Sequence, residues 1–183
     1  MLEAYLIRHC APTLASLKTA GLFRCAFEAK EELERQLSLW NTALERKGVF
    51  LRVLRREEKA ALVYVYRRSN LQRDLHAPGV ERFLQRCGYT PADVEGTLCQ
   101  LEQRLQTMDG FPHEIGVFLG YPLGDVIGFI RNKGKNSKYT GDWKVYCNLC
   151  EAVRMFAKYK KCKRVYAALW EQGRSILQLT VAA

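Results

Sequence analysis

Apolar positions along the chain recur with two different periods, and these divide it into helices and strands. Leu33, Leu37, Trp40 and Leu44 repeat at intervals of three and four within residues 28–47, which makes one face of a helix apolar; Gly48 supplies the stop. Residues 11–23 predict an earlier helix, with Pro12 tolerable in its opening turn. The stretch VFLRVLRREEKAALVYVYRR alternates on both sides of Glu57-Glu58-Lys59, the pattern of a two-stranded hairpin. A short helix is predicted over residues 80–86. A firmer one opens at Thr90-Pro91-Ala92-Asp93, with Thr90 as cap and a stripe of Val94, Leu98, Leu101, Leu105 and Met108 closed by Gly110. EIGVFLGY and WKVY read as strands, residues 148–172 as a long helix ending at Gly173, and ILQLTV as a last strand.

The sum is an α+β chain in which helices pack on a small, mostly antiparallel sheet. With 183 residues, no repeat and no linker, it is expected to be a single domain over residues 1–183. Apolar residues make up 48% and charged residues 26%, a balance that disfavours disorder. No apolar run reaches the roughly 18 residues of a membrane span, and MLEAYLIRH lacks the apolar stretch of a secretory signal. Seven cysteines without a regular framework then point to free thiols and a cytoplasmic setting, with no membrane contact.

Charge sharpens this picture. The net charge is +10, and residues 131–164 hold eleven Lys/Arg against Asp142 and Glu151, or +9. A solvated face explains such a run; so does a docking surface for an acidic protein, a phosphorylated ligand or nucleic acid. Arg154, Lys158 and Lys161 fall at i, i+4 and i+7 of the predicted long helix and would form one basic stripe.

The candidate chemistry begins at RHCAPTLA. If Cys10 caps the helix that follows, the free N–H groups and positive end of that helix favour the thiolate and could stabilise an oxyanion. Of three histidines, His9 adjoins the thiol in sequence and His76 lies in a loop, which leaves His113 as the candidate base. The group orienting His113 would be Asp125 if residues 122–133 form a helix, or Asn132 if the chain returns as a hairpin; Asp142 is a further option.

Cys-Ala-Pro-x-Leu-Ala resembles the nucleophile helix of papain-like cysteine peptidases, especially the branch with bacteriocin-leader peptidases and phytochelatin synthases. The run His113-x-Ile-Gly-Val-x-Leu-Gly-Tyr is similar to the strand that carries their histidine. The resemblance implies a papain-like fold and acyl transfer through a thioester on Cys10, ending in amide formation or hydrolysis, with His113 as general base. The oxyanion-hole Gln of those enzymes has no counterpart, since Ala4 stands at the corresponding place. Over nearly its whole length the chain also resembles a bacterial family of unknown function, through RHCAPTLA, FPHEIGVFLGYPLGDV and WKVY.

Other motifs are weaker. Cys147 and Cys150 have CxxC spacing but no second pair to complete a zinc site, and GYPLGDVIG fits neither phosphate-binding fingerprint, so no metal and no cofactor is expected. Tyr139, Trp143, Tyr146 and Tyr159 stand among the lysines, as in proteins that stack single-stranded nucleic acid. Two functions are therefore expected. One is a cysteine acyltransferase or hydrolase served by an acidic acyl-carrier-type protein. The other is a non-catalytic module that holds an acidic protein or, less readily, nucleic acid on Arg154, Lys158, Lys161 and their neighbours.

Overall fold

The computed structural model describes residues 2–107 and 110–182. The chain divides into two compact units, one drawn from residues up to Leu71 together with those from Lys161 onward, the other from Gln72–Lys160. Both the mixed α and β content and the antiparallel pairing agree with the sequence pattern. Among the described residues no helix is long and apolar enough to cross a membrane.

In the first unit, α1 spans Leu2–Leu14 and β1 spans Ala20–Ala26. The predicted helix over residues 11–23 is therefore displaced: Pro12 lies in the last turn of α1, not the first. Leu2, Leu6, Cys10 and Leu14, spaced by four, supply the buried stripe that draws the helix forward. The helix α2 covers Lys30–Leu44, followed by a 3-10 turn whose exit, Gly48, sits at φ 69°. Strands β2 (Val49–Arg56) and β3 (Ala60–Arg67) form the expected hairpin, with Val53 opposite Val63 and a register shift just after it. β1 joins the other edge of β3, giving the order β1-β3-β2, all antiparallel. The stripes of α1 and α2 and the residues Phe23, Cys25, Leu51, Val63 and Val65 make one apolar core. It is completed by Ile176 and Leu179 of α9 (Ile176–Leu179), a helical turn where a strand was expected. Ser175 and Gln178 close a reciprocal capping box there, a local signal that overrides the alternation of ILQLTV.

Arg67 ends β3 inside this core, 1% exposed, and among the described residues no carboxylate pairs with it. Its guanidinium donates to the carbonyls of Thr13 and Leu14 at 2.6 Å each, of Val181 at 2.8 Å and of Lys47 at 3.3 Å. Thr13 and Leu14 are the last residues of α1, whose carbonyls have no partner within the helix. One planar donor set thus ties the helix end, the sheet and the C-terminal segment together.

The second unit is mostly helical. α3 begins it within Arg68–Leu75, and α4 (Val80–Arg86) falls where the sequence placed it. α5 covers Val94–Thr107 and buries Val94, Leu98, Leu101 and Leu105; Met108, the last position of the predicted stripe, lies outside the described residues. Asp93 rather than Thr90 caps α5, its Oδ1 accepting from the Gly96 N–H at 2.8 Å. EIGVFLGY is not a strand: Ile115–Phe118 form the short helix α6, and Leu123–Arg131 form α7. A run buried on every side carries no period, so strand and buried helix look alike, and Gly120, at φ 76°, ends the helix after one turn. Tyr139–Thr140 (β4) and Lys144–Val145 (β5) make a two-residue ribbon. The long helix α8 spans Leu149–Glu171, capped by Asn148 and stopped at Gly173 (φ 88°).

Candidate functional site

Cys10 is the ninth residue of α1, not its cap. The free N–H groups of that helix belong to its first turn, two turns away, so the positive end of the dipole does not reach the sulfur. The side chain is 0% exposed, and its Sγ would stand 2.6 Å from a Cβ built on Gly21, so β1 passes directly over it. Burial pushes the thiol up to about 12, against a small opposing pull from Lys18. His9 lies on the exposed face, stacked against both Tyr5 and Phe23 at 6.0 and 5.7 Å, rings that are themselves 5.2 Å apart. Partial burial and the charges of Arg8 and Lys163 hold its imidazolium below the ordinary range.

His113, Asp125 and Asn132 belong to the second unit, whereas Cys10 belongs to the first. His113 precedes α6 in a turn, not a strand, and its exposed ring meets Phe129 edge-on at 5.0 Å. Asp125 occupies the first turn of α7, as the helical alternative required, and is 3% exposed. Its carboxylate accepts from Trp143 Nε1, Tyr146 N and Cys147 N, all at 2.8 Å. The carboxylate of Asp125 is thus directed at the residues on either side of β5, and among the described residues it makes no bond to His113. Asn132 turns its Nδ2 back on the Gly128 carbonyl at 2.8 Å.

Sequence reasoning overlooked a second polar cluster in this unit. Glu114, buried, accepts from Arg104 Nε at 2.8 Å and from Tyr89 Oη at 3.4 Å, while Arg104 covers the Tyr89 ring at 5.0 Å. Burial and the Glu114 charge raise the Tyr89 phenol, so Tyr89 stays neutral. Arg104 and Glu114 are ten residues apart on separate elements, a distance no local pattern spans.

α6, α7 and the β4–β5 ribbon enclose a cavity of about 430 Å³, with His113, Leu119, Phe129, Trp143 and Lys144 among its walls. Another, of about 380 Å³, is lined by Asp74, Tyr121, Cys147, Glu151 and Tyr159. Cys147 and Cys150 are exposed at the start of α8, and among the described residues no three His, Cys, Asp or Glu side chains stand close enough to hold a metal.

The basic segment is displayed outward. Arg131, Lys133, Lys135, Lys138, Arg154, Lys158, Lys160, Lys161 and Arg164 are all exposed. Arg154, Lys158 and Lys161 follow one another along α8, the first two in the second unit and Lys161 in the first. The aromatics among them are largely occupied. Trp143 is bound to Asp125 and stacks on Tyr121, Tyr159 is buried, and Tyr146 Oη donates to the Lys135 carbonyl at 3.0 Å. Tyr139, 49% exposed, lies against Phe156.

No curated protein and no solved structure matches the chain, so no neighbour supports the papain-like part of the expected fold. A family described as "Protein of unknown function (DUF3793)" matches residues 6–180. That match takes in RHCAPTLA, FPHEIGVFLGYPLGDV and WKVY alike, and by it the chain belongs to the DUF3793 family.

Proposed function

We propose that the protein is a non-catalytic binding module whose basic C-terminal third holds an acidic protein partner. The observation that carries this reading is the set of exposed, uncompensated cations in residues 131–164. Arg24, Arg35, Arg55, Arg56, Arg73 and Arg104 each pair with a carboxylate. Among the described residues, Arg131, Lys133, Lys135, Arg154, Lys158, Lys160 and Lys161 pair with none. A field of this kind steers an acidic surface toward it and weakens as salt shortens the screening length. An acidic protein suits it better than single-stranded nucleic acid, because the aromatics that would stack bases are engaged in the fold.

This reading is preferred to acyl transfer because a nucleophile must meet its substrate, and Cys10 is covered by β1 with its thiol pushed up to about 12. A fluorescein-labelled poly-Glu 20-mer should bind in an anisotropy titration at 50 mM salt and be released by 500 mM. The double variant Arg154→Glu/Lys158→Glu should weaken it at least fivefold, with dT20 binding no more tightly. Stronger binding of dT20 would transfer the surface to nucleic acid, and a charge reversal without effect would remove it altogether. Native alkylation with iodoacetamide at pH 7.5 should reach Cys99, Cys147 and Cys150 first and Cys10 last. An acyl adduct on Cys10 after incubation with a small thioester, seen by intact mass, would restore the enzyme reading.

A further inference from the structure

We infer that the cavity between α6, α7 and the β4–β5 ribbon is a site for a small molecule with a flat aromatic body and one acidic group, a carboxylate or a phosphate ester. The inference goes beyond the docking surface and does not depend on it. The cavity, of about 430 Å³, falls within the size range of small-molecule pockets, and Ile115, Leu119, Val126 and Phe129 make its walls apolar. Phe111 lies at this cavity with 40% of its surface in solvent, an exposed aromatic that a ligand would cover.

Two polar groups give the apolar space a direction. Lys144 Nζ donates to the Gly134 carbonyl at 2.6 Å, and among the described residues no carboxylate pairs with it. An ammonium has three N–H donors, so two remain for an incoming oxygen. Its position is fixed relative to the aromatic wall: a Cβ built on Gly134 would lie 3.2 Å from the Phe129 ring and 3.8 Å from Lys144 Nζ. The ring and the cation therefore flank one glycine, where a side chain would crowd the ring. His113 meets the same ring edge-on at 5.0 Å and is the second polar group on the cavity wall. The carboxylate of Asp125 also lines the cavity, but three N–H donors from Trp143, Tyr146 and Cys147 hold it. An aromatic acid places its ring against Phe129 and Trp143 and its charge on Lys144, whereas an uncharged ring leaves the cation unanswered.

Calorimetric titrations with 2-naphthoate, 2-naphthyl phosphate and neutral 2-naphthamide test this, with folding of each variant checked by circular dichroism. One of the two acids should bind saturably with one site per chain, and the amide at least tenfold more weakly; the tighter acid identifies the acidic group. Lys144→Met should bring that acid down to the level of the amide. Because Lys144 also braces Gly134, Phe111→Ala, a change at an exposed position, serves as the second variant and should weaken the tighter acid about threefold or more. Absence of saturable binding by either acid would overturn the inference, as would equal binding of the amide, or affinity for the tighter acid unmoved by both substitutions.

Discussion

Arg67→Met removes a buried cation while keeping most of its apolar stem, and the bonds it makes set the size of the loss. Thr13 O would still accept from Ser16 N at 3.1 Å, and Leu14 O from Val181 N at 3.0 Å, so each loses one of two bonds. Hydrogen bonds to a charged donor contribute about 1.5–3 kcal/mol each, and a buried group left with no partner costs about 1–3 kcal/mol. Val181 is half exposed, so water can replace the guanidinium there at little cost. Two strong bonds at 2.6 Å therefore dominate, offset by the several kcal/mol of desolvation that the buried cation itself requires. The expected net loss is about 3 kcal/mol. Arg67→Lys should recover only part of it, since one ammonium cannot span carbonyls on two segments. Guanidinium chloride unfolding followed by far-ultraviolet circular dichroism measures this, and hydrogen exchange should quicken along α1 and residues 60–67. A loss below about 0.5 kcal/mol for Arg67→Met would refute the account of Arg67 as the clip of the first unit.

Two further substitutions have definite expected outcomes. Asp125→Asn puts an NH2 group where three N–H donors converge, and should destabilise the second unit by about 2–4 kcal/mol and shift Trp143 emission; unchanged emission and stability would mean that the carboxylate does not anchor this segment. For His9 the folded state holds the imidazolium below its ordinary range, so the unfolded chain takes up the proton first; stability present above about pH 6.5 should decline as pH falls through the folded value, and His9→Gln should flatten that part of the pH–stability curve.

What the sequence by itself determined were the elements with a clear period and clear punctuation. The Leu33–Leu37–Trp40–Leu44 stripe closed by Gly48, the alternation around residues 57–59, and the long helix between Asn148 and Gly173 all appear in the structure with boundaries shifted by a few residues. Each buries one face, so its geometry is written into the order of polar and apolar residues. Family membership was legible for a related reason, since contiguous motifs survive without knowledge of their neighbours.

Tertiary structure decided everything that depends on partners distant in sequence. Pro12 by itself favours the start of a helix, where its missing N–H costs nothing; the burial of Leu2, Leu6, Cys10 and Leu14 in the core places it in the last turn instead, and with it makes Cys10 a covered thiol and not a cap. Residues 115–120 are apolar throughout, so only enclosure by α7 and its surroundings makes them a helical turn. Asp125 carries no local sign that its oxygens will meet the indole of Trp143 and two backbone amides some twenty residues away. Arg67 is the extreme case, an arginine at the end of an alternating strand. Its burial follows from carbonyls 53, 54 and 114 positions distant, and no pattern along the chain brings those together.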